Sequence, residues 1–69
     1  MKFKNFDSLI EYMTKNNYLQ NIINNVIIIA NKHEMKNNVK NIILYDDMFT
    51  INFLHGALKS MDFYMDLMI

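Results

Sequence analysis

Residues 50–69 read TINFLHGALKSMDFYMDLMI, and their apolar positions recur at helical spacing. Ile51, Leu54, Leu58, Met61, Met65 and Met68 follow one another at steps of three, four, three, four and three, the interval that keeps one face of an α-helix apolar. Asn52, His55, Lys59, Asp62 and Asp66 keep the same rhythm one step over, and Phe53, Ala57, Tyr64 and Leu67 fill the third sector. The spacing predicts a long C-terminal helix that is apolar over more than half its circumference. Such a helix needs cover on two sides, from its own chain or from another.

Outward from this stretch, Asp46-Asp47 and Thr50 mark its expected start, since acidic residues and short polar caps suit a helix N-terminus. Val39, Ile42 and Ile43 offer a short helical face up to Tyr45, and Asn37-Asn38 reads as the break before it. Leu19, Ile23, Val26, Ala30 and His33 repeat at helical steps and predict a helix from Tyr18 to about Met35. Phe6, Leu9, Ile10 and Met13 predict another from Phe6 to Lys15. Asn5 or Asp7 would cap it, and Asn16-Asn17 would end it, because Asn tolerates the left-handed conformation of a helix C-terminus. The expected fold is therefore all-α, a single domain over residues 1–69 built as a small bundle of about four helices. The alternative is α+β. Val26 to Ile29 is an unbroken β-branched run, and Val26–Ala30 could pair with Ile42–Tyr45 as a short two-stranded element.

Composition narrows the function classes. The chain has 69 residues and no Cys, so neither disulfides nor a thiolate metal site reinforce its small core. A partner chain is the remaining reinforcement, and a homodimer is expected. Cytoplasm is the expected compartment: Asn5 and Asp7 interrupt any signal-peptide core, and no apolar run approaches the roughly 20 residues of a membrane span. Seven basic and seven acidic residues cancel, which removes the general attraction to nucleic acid.

Sites of chemistry are sparse. His33-Glu34 opens like a zinc-protease motif, but position 37 is Asn, where the second His would stand. Asp46-Asp47 with His55 and a hydroxyl from Thr50 or Ser60 would make a catalytic set, yet no nucleophile elbow or oxyanion loop accompanies it. No enzymatic activity, metal or cofactor is expected. A helix-turn-helix would present Thr50, Asn52, Phe53 and His55 to bases, but only Lys59 supplies positive charge there. The remaining feature is apolar. Phe53, Leu54, Leu58, Met61, Phe63, Tyr64, Met65 and Met68 form the candidate interface, since methionine repacks against varied partners and aromatic residues anchor contacts. Ile28, set among Asn residues, is a further exposed candidate.

Eleven Asn, ten Ile and seven Lys stand beside no Arg, no Pro and a single Gly, a codon trace of an AT-rich genome. In length and composition the chain is similar to the short, cysteine-free helical proteins of phages and viruses that bind and inhibit host proteins, anti-CRISPR proteins among them. That similarity implies a non-enzymatic protein-binding module that occupies a surface of a larger host protein. A helix-turn-helix-like regulator and an assembly subunit of a larger complex are the alternatives.

Overall fold

Short side chains and a left-handed Asn set the first helix. In the computed structural model, which describes residues 1–33 and 38–68, β1 (Lys2–Phe3) leads into α1 (Phe6–Lys15). Asn5 caps α1 by accepting the Ser8 N–H at 2.9 Å through its side chain. At the other end Asn17 takes φ +59°. Tyr18 N–H then donates to Met13 C=O at 3.1 Å, and Asn17 N–H to Thr14 C=O at 3.3 Å. This is the Schellman pattern, which satisfies carbonyls that a helix end leaves orphaned. Phe6, Leu9 and Met13 are buried along one face.

The second helix, α2 (Gln20–His33), contains the β-branched run Val26–Ile29. Propensity yields here to packing: Ile22, Ile23, Val26 and Ala30 are all buried on one side, and their helical spacing matches the surface they cover. The predicted Val26–Ala30 strand is thus corrected to helix.

The rest of the chain overturns the bundle. Three strands follow, β2 (Val39–Leu44), β3 (Met48–Phe53) and β4 (Ser60–Tyr64), closed by a 3₁₀ turn at Met65–Met68. The sheet is antiparallel with order β1-β2-β3-β4. Among the described residues the fold is α+β, two helices with a four-stranded sheet, and the expected long C-terminal helix is absent. Residues 50–68 are strand, loop, strand and a short turn. Ile42–Leu44 is strand, as the alternative reading had it, but its partners are β1 and β3.

Alternation explains the sheet. Phe49 and Ile51 of β3 are fully buried, whereas Thr50 and Asn52 lie on the opposite face. Opposite Ile51 stand Ile42 on β2 and Met61 on β4; opposite Phe49 stand Leu44 and Phe63. A register shift between Val39 and Asn41 leaves Lys40 without a partner. This bulge changes the parity of β2, so Val39 joins Ile42 and Leu44 on the apolar face and meets Phe53. The apolar face and the buried helix residues form one core cluster. Phe49 is central to it, edge-on to Phe6 at 6.3 Å between ring centroids and stacked on Phe63 at 5.2 Å. Phe3, Tyr12 and Tyr18 extend the aromatic packing at 5.4 and 6.4 Å. Partial burial, with Tyr12 and Asp46 nearby, raises the Tyr18 phenol above its ordinary pKa of 10.0.

Candidate interaction surface

The loop between β3 and β4 is shaped by its glycine and by an asparagine from elsewhere. Gly56 has φ +103°, a conformation that side-chain-bearing residues rarely adopt. Asn38, just before β2, holds the neighbouring residues. Its C=O accepts Leu54 N–H at 2.8 Å, and its side-chain oxygen accepts His55 N–H at 2.8 Å. Its side-chain amide donates to His55 C=O at 3.4 Å. A pocket of about 250 Å³ at this loop is lined by Asn38, Phe53, His55, Gly56, Ala57, Leu58 and Met61. Leu54 and Leu58 are about half exposed.

Gly56→Ala separates this turn from the helix that the sequence suggests. Space is not limiting, since nothing lies within 4 Å of an added Cβ. The backbone strain alone is expected to destabilise the protein by about 1–2 kcal/mol. Within a helix the same change would stabilise by about 1 kcal/mol. A urea titration gives the sign, and a raised midpoint would refute the turn.

The sheet's second face carries polar pairs. Thr50 Oγ1 donates to Asp62 Oδ1 at 2.7 Å, and Asn52 Nδ2 to Asn41 Oδ1 at 2.8 Å. Strand β4 is an outer strand. Phe53 N–H donates to Lys59 C=O, and Met65 N–H to Asp47 C=O. Since antiparallel pairing alternates, Met61 and Phe63 point their main-chain groups at β3, while Ser60, Asp62 and Tyr64 point theirs outward. Among the described residues, no strand pairs with this outer side.

The expected interface residues fall in three places. Phe53, Leu58 and Met61 line the pocket, with Leu54 exposed on the adjoining loop and Phe63 further along β4, packed on Phe49. Tyr64 is exposed on the polar face of the sheet, and Met65 is buried in the core at 4% exposure. The Met68 side chain lies outside the described residues, as do Glu34 and the side chain of His33. Ile28 is exposed on α2, on the outer side of that helix. Three features leave no signal in the helical spacing: the exposed Leu19 and Tyr45, the Asn38 clamp, and the open edge of β4. A main-chain edge leaves no trace in side-chain periodicity, whereas Gly56 was the available turn signal.

The imagined catalytic set is dispersed. Asp46 and Asp47 sit at one end of β3 and His55 beyond the other, with the strand's six residues, roughly 16–20 Å at about 3.3 Å of rise per residue, between them. Thr50 is engaged with Asp62. The recognition helix of a helix-turn-helix would start where β3 runs as a strand. Among the described residues, no three His, Cys, Asp or Glu side chains gather as a metal site, and no helix is long and apolar enough to cross a membrane. Comparison of the chain with protein families, curated proteins and solved structures finds no match.

Proposed function

We propose that this protein is a non-enzymatic protein-binding module that occupies a surface of a larger protein, with the β3–β4 hairpin end as its contact. One observation carries the reading: Leu54 and Leu58 stand half exposed beside an apolar pocket, on a loop held in shape by Asn38. Apolar side chains grouped around a concave apolar site are the usual anchors of a protein interface. The AT-rich composition and short chain support placing it with accessory proteins of phage or viral type that inhibit or modulate a host protein in the cytoplasm. Self-association of two copies through the same leucines is the competing use of this surface.

The test is capture from a host lysate by intact protein and by variants whose fold is verified by circular dichroism. Leu58→Glu and Leu54→Glu are expected to lose the captured protein, because a charge replaces an apolar contact. Ile28→Glu, on α2, should keep it. Equal capture by wild type and both leucine variants would remove the hairpin end as the contact. Light scattering across a dilution series reads the competing case: a dimer that Leu58→Glu dissociates would assign the leucines to self-association.

A further inference from the structure

The two sheet edges are built differently. Strand β1 is short, and the exposed Lys2 and Lys4 flank its Phe3, a common way to guard an edge. Strand β4 has five residues, and Ser60, Asp62 and Tyr64 offer their main-chain groups outward. On its apolar side Met61 and Phe63 are only partly covered, and the pocket opens beside Met61. Asp62 is exposed on the strand itself, with exposed Asp47 and Asp66 beyond its end. Among the described residues none of these three carboxylates forms an ion pair. We propose that β4 takes up an extended segment of a partner protein as a fifth strand, the segment carrying Lys or Arg opposite Asp62 and apolar residues beside Met61 and Phe63. This rests on the protein-binding reading above and specifies its mode.

Strand addition combines main-chain hydrogen bonds with pockets for side chains, and this edge offers outward main-chain groups and one apolar pocket beside Met61. Charge selects the occupant. A second copy of β4 paired two-fold over the whole strand would set Asp62 directly opposite Asp62, and like charges so placed repel. A basic residue at that position turns the same contact into an attraction. The acidic side chain thus opposes self-pairing and admits a cationic strand.

The probes are synthetic octapeptides added to the intact protein, followed by anisotropy and by amide NMR shifts. One peptide alternates valine and lysine, a second valine and glutamate, and a third is the lysine peptide with its central amides N-methylated. The lysine peptide is expected to bind about tenfold more tightly than the glutamate peptide, with the largest shifts at Ser60, Asp62 and Tyr64. N-methylation should abolish binding, since it removes ladder donors and keeps the side chains. Asp62→Lys should reverse the order of the two peptides. Absence of binding at millimolar lysine peptide overturns the proposal. Equal binding of the N-methylated peptide, shifts confined to the loop or α2, or an unchanged order with Asp62→Lys does the same. Such a failure with leucine-dependent capture intact removes strand addition alone; failure of both removes the protein-binding reading.

Discussion

Phe49→Ala is expected to leave the chain largely unfolded at room temperature. Phe49 is completely buried on an inner strand, and its ring meets Phe6 edge-on and Phe63 face-on. Truncating a buried phenylalanine costs about 3–5 kcal/mol, because the burial is lost and a cavity remains. Aromatic pairs add about 0.5–1.5 kcal/mol beyond their buried area. A single core in a chain of this size supplies only about 3–5 kcal/mol in total, so one substitution removes a comparable amount. Phe49→Leu keeps most of the volume and should remain folded with a lower melting temperature. Thermal melts by circular dichroism read both. A cooperative Phe49→Ala transition within a few degrees of wild type would mean that the core is organised around other residues.

The second large effect is positional. Ile51→Pro is expected to unfold the protein, whereas Ser60→Pro leaves it folded. Ile51 is fully buried in a strand paired on both sides, and its N–H faces Met61 across the ladder. Proline there deletes a ladder donor and leaves a buried carbonyl unsatisfied, a penalty of about 1–3 kcal/mol, on top of the lost isoleucine packing. Ser60 begins an outer strand and directs its N–H away from the sheet, a position where proline is tolerated. The long helix suggested by the sequence would make both substitutions interior helix breaks of about 3 kcal/mol each. Urea midpoints that fall equally for the two variants would therefore favour that helix over the hairpin. Ser60→Pro has a further use, since it withdraws one outward donor from the edge proposed to bind an added strand.

The first half of the chain was legible because its local signals agree. Asn5 is a strong cap, Phe6, Leu9 and Met13 share a face, and Asn17 is a residue type that accepts positive φ. The β-branched run at Val26–Ile29 points toward strand, but its neighbours Ile22, Ile23 and Ala30 hold the helical period. The second half misled because two strand patterns are joined by an apolar loop. Phe49, Ile51 and Phe53 alternate, as do Met61, Phe63 and Met65. Leu54 and Leu58 fill the loop between them with apolar residues, and the series then imitates a helical stripe. The Lys40 bulge does the same to β2, where Val39, Ile42 and Leu44 share a face without simple alternation. Asp46-Asp47 read as a helix boundary but forms the tight turn between β2 and β3, where Tyr45 N–H donates to Met48 C=O at 2.8 Å.

Helical spacing groups the interface candidates on one face, and the hairpin brings Phe53, Leu58 and Met61 together by a different route. Phe53 lies at the end of β3 and Met61 near the start of β4, so the connecting loop returns Leu54 and Leu58 to the same end of the sheet. Met65 keeps helical periodicity with Met61, but its alternation with Phe63 carries it into the core.

Amide hydrogen exchange across residues 59–65 tests the account most directly, because it reads the fold and the open edge together. The amides of Met61, Phe63 and Met65 are predicted to exchange slowly, since they donate into the hairpin. Those of Ser60, Asp62 and Tyr64 are predicted to exchange fast, since they face outward. Uniform protection along this stretch would contradict the account, whether it came from a helix or from an edge already covered in the free protein.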